Sequence, residues 1–140
     1  MFQLLKECEG AANIVISGHI RPDGDCVGSC MATYLFLKKT MPKADIRIFL
    51  EQPADIFSCI QVFDLIDTTF QMEAEPDVFI ALDCEKTRLG EAEKIFDKAK
   101  KTINIDHHIS NEHGCGDVNY IDPKASSASE LVYDVLDKQY

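Results

Sequence analysis

The chain has 140 residues, which is the length of one ordinary domain with a single core. Its formal net charge of −10 argues against binding of a long nucleic acid duplex through a basic surface. No apolar run is long enough to cross a bilayer, and acidic residues stand near the amino terminus where a signal peptide would be basic. We therefore expect a cytoplasmic protein without membrane contact.

Apolar residues alternate between helical and strand periodicity along the chain. In chain order they predict a helix over 1–10, a strand over 12–18, a helix over 26–39, a strand over 45–50 and a helix over 54–63. A buried strand over 77–83, a charged helix over 91–101, a strand over 102–106, an extended piece over 117–121 and a helix over 126–138 follow. This order predicts an α/β fold with a mostly parallel sheet and helices on both faces.

Six cysteines are scattered along the chain without a Cys-x-x-Cys pair, at positions 8, 26, 30, 59, 84 and 115. Cys26 and Cys30 lie one helical turn apart on the face predicted to be buried. We interpret the cysteines as small core residues rather than as a zinc site or a disulfide framework.

Side chains that bind metal ions follow three predicted strands. They are His19, Asp23 and Asp25, then Asp83, and then Asp106, His107 and His108. The carboxyl ends of parallel strands share one edge of a sheet, so we expect these groups to meet there. Clustered carboxylates repel one another unless divalent cations lie between them. The mixture of imidazole and carboxylate suits Mn²⁺, Fe²⁺, Co²⁺ or Zn²⁺, whereas Mg²⁺ prefers oxygen ligands alone.

The spacing of the acids favours two ions over one. Asp23 and Asp25 are two residues apart, so their carboxylates diverge in an extended loop. A carboxylate fixed at a strand end, such as Asp83, is able to bridge both ions. Two metals about 3.5–4 Å apart activate a water and clamp a phosphoryl group during in-line displacement. The sequence therefore predicts a two-metal centre for phosphate esters.

Each signal alone has a simpler interpretation. The PDGD stretch is also a turn sequence, and paired histidines at a strand end also occur as packing residues. Arg88 is either a partner for a substrate phosphate or a solvated surface residue. Ser127 and Glu130 match a capping box, although a serine-rich helix start also binds anions. The joint occurrence of the metal-binding groups at strand ends favours the functional interpretation.

Four segments in order resemble the motifs of the DHH phosphoesterase superfamily: HIRPDGDCVGS, DCEKTRLG, IDHHISN and ASSASELVYDVL. They are most similar to the bacterial subgroup that hydrolyses short oligoribonucleotides and 3′-phosphoadenosine 5′-phosphate (pAp). The resemblance implies a catalytic domain over residues 1–140. Family members continue to another metal-binding aspartate and a C-terminal substrate-binding domain, so we expect this chain to be truncated before both.

The resemblance also implies a role for each matched residue. His19 and Asp23 would hold one Mn²⁺, Asp25 and His107 would hold the other, and Asp83 would bridge them, with Mg²⁺, Co²⁺ or Zn²⁺ as alternative ions. Asp106 would orient a ligating imidazole, and His108 would contact the scissile phosphate or assist the leaving group. Further substrate contacts are expected from Arg88, Asn111, Ser126 and Ser127.

The resemblance predicts a Mn²⁺-dependent phosphodiesterase and phosphatase. It would release a nucleoside 5′-monophosphate from a dinucleotide, or phosphate from pAp, and a homodimer is compatible with it. Three alternatives stay within the family: a pyrophosphate or polyphosphate hydrolase, a cyclic-dinucleotide phosphodiesterase, and a fragment that binds metal or phosphate without catalysis. A phosphoacceptor signalling domain is the alternative from another class, but it would leave His19, His107 and His108 without a role.

Overall fold

Six parallel strands form one sheet in the order β3-β2-β1-β4-β5-β6 in the computed structural model, which describes residues 2–139, with the backbone alone for 137–139. The elements are α1 (Leu4–Glu7), β1 (Asn13–Ser17), α2 (Gly24–Thr40), β2 (Asp45–Phe49), β3 (Ile66–Asp67), β4 (Val78–Leu82), α3 (Glu93–Lys98), β5 (Lys101–Asp106), β6 (Val118–Ile121) and α4 (Ala128–Gln139). The predicted α/β fold is thereby confirmed. Met1, which the predicted first helix includes, lies outside the described residues.

Apolar side chains cover both faces of the sheet. In β1, Ile14 and Ile16 pack into a core shared with α2 and α4. Val15 points into a second core, which includes Phe79 of β4 and Phe96 of α3. The two cores lie on opposite faces because successive side chains of a strand alternate between faces. Burial on both faces explains why β1 and β4 are nearly continuous apolar runs.

The predicted helix over 54–63 is wrong. Two short 3₁₀ turns, Asp55–Cys59 and Phe63–Leu65, occupy the segment, and Val62 between them has a left-handed backbone with φ 63°. Ile56 is 77% exposed, so the apolar residues that suggest helical periodicity do not form one packed face. A helix without a buried face lacks the packing from which protein helices gain most of their stability.

Two other predicted helices are shorter than their apolar patterns. The first keeps only Leu4–Glu7, and the one predicted over 91–101 keeps only Glu93–Lys98. The latter ends early because Lys101 already pairs with Val78 in the parallel ladder between β5 and β4. Strand pairing therefore takes the residues that periodicity assigns to the helix.

Four of the six cysteines are core residues, as the sequence predicts: Cys8, Cys26, Cys30 and Cys84. Cys59 is exposed and Cys115 is half-buried, and all six thiols are free. Among residues 2–139, no helix combines the length and the apolar character that a membrane span requires.

Candidate metal centre

The predicted groups lie where the strand order reverses. Strand β1 pairs with β2 on one side and with β4 on the other, so the loops after β1 and β4 leave the sheet at its topological switch point. Open α/β sheets bind their ligands in the crevice at this point. Gly18 is required in the first of these loops, because a Cβ there would lie 2.3 Å from Cys26 Sγ and 3.1 Å from the Leu82 carbonyl oxygen.

Asp83 occupies the centre of the crevice, directly after β4. Its backbone is left-handed, with φ 63°, and the residue is only 2% exposed. A non-glycine residue in this conformation is strained, and such strain concentrates at functional sites. Asp83 Oδ2 lies 3.2 Å from His19 Nε2, and Oδ1 lies 3.2 Å from His107 Nε2. One buried carboxylate thus joins the loops that follow β1 and β5.

The His19 ring turns Nε2 toward acidic oxygens. Its Nδ1 lies 2.7 Å from the Ile20 carbonyl oxygen, which only accepts, so the proton of the neutral ring is on Nδ1. The unprotonated Nε2 then faces Asp83 Oδ2 and, at 3.5 Å, Asp23 Oδ1. Without a cation this contact is repulsive unless the ring takes up a second proton, and the hydrogen bond to Asp83 accordingly raises the pKa of His19 to about 9.

Burial has the largest effect on the pKa of Asp83. Removal from water raises the pKa of this carboxyl above its ordinary value, and the hydrogen bond with His19 only partly opposes the effect. The nearby charges of Asp25 and Asp23 raise it further. The fold therefore holds an ionised Asp83 at a cost, which a bound divalent cation would remove.

Asp25 has two sets of neighbours. Its Oδ2 lies 3.6 Å from His107 Nε2, and its carboxylate accepts the backbone N–H groups of Ala128, at 2.9 Å, and Ser129, at 2.8 Å. Burial acts to raise the pKa of Asp25, but the hydrogen bonds from Ser129 and Ala128 outweigh it and the pKa lies below its ordinary value. Asp25 therefore connects the start of α4 to the metal-binding edge, by which we mean the loops after β1, β4 and β5 that carry His19, Asp83 and His107.

Asp106 is fully buried at the end of β5 and holds the histidine pair. Its Oδ1 accepts the His107 backbone N–H at 2.8 Å and lies 2.7 Å from His108 Nδ1. The imidazole that Asp106 orients is thus that of His108, while His107 is held through its backbone. His108 Nδ1 donates this bond, which leaves Nε2 of the neutral ring unprotonated.

Among the side chains that the structure describes, two groups of donor atoms lie close enough together to hold an ion. The ligand atoms within each group lie within 4.8 Å of one another, and Asp83 belongs to both. The first group is His19, Asp23 and Asp83, and the second is Asp83, Asp106, His107 and His108. Asp25, predicted as a ligand of the second ion, is in neither group, although its Oδ2 lies 3.6 Å from His107 Nε2. Imidazole nitrogen and carboxylate oxygen form the donor set of borderline divalent metals such as Mn²⁺, Co²⁺ and Zn²⁺. The residues present fit a metal centre.

The other predicted residues lie around this centre with different contacts. Arg88 is exposed, and its carbonyl accepts the N–H of Ile20 at 2.9 Å. Ser127 Oγ accepts the Glu130 N–H at 3.0 Å, and the Glu130 carboxylate accepts the Ser126 Oγ–H at 2.6 Å. The two serines therefore stabilise the start of α4, and their predicted substrate contacts stay predictions.

Asn104 and Asn111 form a buried amide pair beneath the site. Asn111 Nδ2 donates to Asp106 Oδ2 and to Asn104 Oδ1, both at 2.9 Å, so its amide hydrogens are bonded within the protein. Asn104 is fully buried and is absent from the sequence predictions. The signal in the sequence is the amide between the two isoleucines of the strand TINID, where a buried amide needs partners.

Comparison with known proteins identifies the fold and the family. Residues 13–140 match the family described as DHH family, N-terminal domain. The chain belongs to the DHH family. Members of this family are phosphoesterase hydrolases. The structure of an exopolyphosphatase-related protein from Bacteroides fragilis superimposes with a TM-score of 0.82 at 28% identity, over 97% of this chain and 42% of that one.

Two curated relatives illustrate the range of activities within the DHH family. The probable bifunctional oligoribonuclease and PAP phosphatase NrnA of Streptococcus mutans is 26% identical over 94% of this chain. The cyclic-di-AMP phosphodiesterase GdpP of Bacillus subtilis is 25% identical over 92% of this chain. The chain spans 40% of the length of the first relative and 22% of the second.

Proposed function

We propose that this chain is the metal-binding catalytic domain of a cytoplasmic phosphoesterase that hydrolyses short oligoribonucleotides or pAp with two Mn²⁺ ions. One observation carries the proposal. The two oxygens of a single buried carboxylate, Asp83, each lie 3.2 Å from a different imidazole, those of His19 and His107. Without ions, the contacts with these rings only partly compensate the desolvation of this acid.

The residues divide into two half-sites that share Asp83. His19 Nε2 and Asp23 would complete the first, and His107 Nε2 and Asp25 would complete the second. When bound, such ions supply Lewis-acid stabilisation of a phosphoryl group and activation of water. The similarity to the oligoribonuclease and PAP phosphatase of Streptococcus mutans supports the choice of substrate.

Two further side chains would act on the substrate itself. His108 is fixed through Nδ1 by Asp106, and its side chain is 41% exposed, so Nε2 is accessible to a phosphate oxygen or to the leaving group. Arg88, exposed on the loop after β4, would supply a cation to a substrate phosphate. Asn111 would contribute indirectly, because its amide hydrogens bond Asp106 and Asn104.

Product identification tests this function. The full chain is incubated with Mn²⁺, or with EDTA as the control, and offered pApA, pAp, cyclic di-AMP or pyrophosphate. We expect AMP from pApA, AMP and orthophosphate from pAp, and no turnover with EDTA. Turnover that EDTA leaves intact, or orthophosphate from pyrophosphate as the sole product of the panel, would contradict the proposal.

A cyclic-dinucleotide phosphodiesterase is the second candidate. It is favoured by the similarity to the cyclic-di-AMP phosphodiesterase of Bacillus subtilis, which extends over 92% of this chain. The same panel separates the two functions. Conversion of cyclic di-AMP to linear pApA, without further conversion to AMP, would identify this second function.

A further inference from the structure

We infer that Asn104 is the positioning residue of the metal-binding edge, and that its one side-chain amide sets the geometry on both sides of the crevice. Asn104 lies in β5, is fully buried and is not among the candidate metal ligands. Its role follows from its partners, which lie at the end of β4 and in the loops after β4 and β5. This inference rests on the proposed metal-dependent function.

The donor side of the amide holds the turn that contains Asp83. Asn104 Nδ2 donates to the carbonyl oxygens of Ala81, at 3.0 Å, and Cys84, at 2.9 Å. These carbonyls stand on either side of Asp83, and both converge on one NH₂ group only if the chain turns sharply between them. The left-handed φ of 63° at Asp83 supplies that turn. Asn104 therefore compensates the strain that aims the Asp83 carboxylate into the crevice.

The acceptor side of the same amide holds the loop after β5. Asn104 Oδ1 accepts Asn111 Nδ2–H at 2.9 Å and the Cys115 backbone N–H at 3.0 Å. The Asn111 amide in turn donates to Asp106 Oδ2 at 2.9 Å. Asp106 then fixes the histidine pair, so two side chains, those of Asn111 and Asp106, link Asn104 to His108.

No other residue type fits this position. The site needs two hydrogen-bond donors on one side and an acceptor on the other, in a planar group short enough to lie within a strand. Aspartate has the same shape and keeps the acceptor, but it presents an oxygen to the carbonyls of Ala81 and Cys84. The Asn104→Asp variant therefore opposes the turn at Asp83 while it retains the packing volume.

Asn119 provides a matched control. It lies opposite Asn104 in the ladder between β5 and β6, and its side chain is bonded to the backbone of Gly116 at 2.9 Å. Asn119 is exposed, and its side-chain hydrogen bonds to Gly116 reach neither Asp83 nor Asp106. The Asn119→Asp variant makes the same chemical change at the paired position of the neighbouring strand, outside the hydrogen bonds that link Asn104 to Asp83 and Asp106.

Two measurements on the full chain test the positioning role. Calorimetric titration with Mn²⁺ gives metal affinity, and hydrogen exchange of the Asp83 and His107 amides without metal reports local order. We expect Asn104→Asp to weaken Mn²⁺ binding about 10- to 100-fold, as loss of a partner behind the ligands does in other sites. Exchange at both amides should rise about tenfold more than the change in global unfolding explains. Asn119→Asp should stay within about twofold of the wild type in both.

The outcomes separate the inference from the proposed function. Asn104→Asp with wild-type Mn²⁺ affinity and wild-type exchange at Asp83 would overturn the positioning role. Should this variant not fold, Asn111→Ala decides, because it breaks the link from Asn104 to Asp106 and keeps the Asn104 amide, and wild-type affinity there would equally refute the inference. A wild-type chain that binds no Mn²⁺ would refute the proposed function, and amide exchange would still decide the role of Asn104.

Discussion

Replacement of Asp83 by asparagine should remove most of the response to metal while the chain still folds. Asparagine keeps the shape of the side chain and tolerates the left-handed backbone at this position, where φ is 63°. Burial raises the pKa of Asp83, so the ionised carboxylate is unfavourable in the metal-free fold. Asp83→Asn removes this cost but also loses the contact that raises the pKa of His19, so we expect the metal-free variant to fold, with the two effects opposing each other.

The magnitude follows from the shared position of Asp83. Loss of a residue that only supports a metal ligand weakens metal binding about 10- to 100-fold. Asp83 contacts the imidazoles of both half-sites, so we expect its replacement to weaken Mn²⁺ binding about 100-fold. At free Mn²⁺ about 100 times the wild-type Kd, binding stabilises the wild type by about 2.7 kcal/mol and the variant by about 0.4 kcal/mol. At about 3 °C per kcal/mol, Mn²⁺ should raise Tm by about 8 °C in the wild type and about 1 °C in the variant.

Thermal unfolding with and without Mn²⁺ measures both effects in one assay. Asp77→Asn is the control, because Asp77 lies just before β4, at the opposite end of the strand, where it accepts the N–H groups of Ala12 and Asn13. This control should keep the full Mn²⁺ response. A wild-type Mn²⁺ response in Asp83→Asn would refute the shared-carboxylate account, and loss of metal-free folding would refute the expectation for stability.

Three other predictions concern stability. The N–H groups that bond Asp77 hold the pKa of its carboxyl below the ordinary value, so Asp77→Asn should lower the free energy of unfolding by about 1 kcal/mol near neutral pH. In urea unfolding this difference should shrink below a pH of about 3.9, because the carboxyl is then protonated. A difference that grows on acidification would contradict the assignment. Asp25→Ala should lower the metal-free free energy of unfolding by about 1–2 kcal/mol, since α4 loses the acceptor at its first N–H groups, and an unchanged urea midpoint would exclude that role. Gly90→Ala should lower the free energy of unfolding more than Gly10→Ala does. Both backbones are left-handed, but only at Gly90 would a Cβ lie 2.5 Å from Ile20 Cγ2. Equal losses in urea unfolding would show that this contact relaxes freely.

The sheet and the meeting of the metal-binding groups are predictable because they depend on local patterns. Continuous apolar runs identify strands buried on both faces, and the rule for parallel strands then brings His19, Asp83 and His107 to one edge. The helix predicted over 54–63 is wrong because periodicity does not reveal whether a face will be covered. Ile56 is 77% exposed, so a helix in this segment would not be stabilised by packing against the rest of the protein.

The contacts that a strand-end rule does not contain were not predictable. Asp25 bonds the N–H groups at the start of α4, more than one hundred residues later, and no local pattern encodes that pairing. Asn104 shows the same limit. Its place in TINID marks a buried amide, but its four partners are defined only once the loops after β4 and β5 are folded. Positioning residues of this kind emerge from tertiary structure.

Anomalous diffraction from crystals grown with Mn²⁺ tests the central claim most directly. The account predicts two manganese peaks, one on each side of the Asp83 carboxylate, with the first beside His19 and Asp23 and the second beside His107. A map with no manganese peak in contact with Asp83, and with the His19 and His107 rings turned away from it, would contradict the claim.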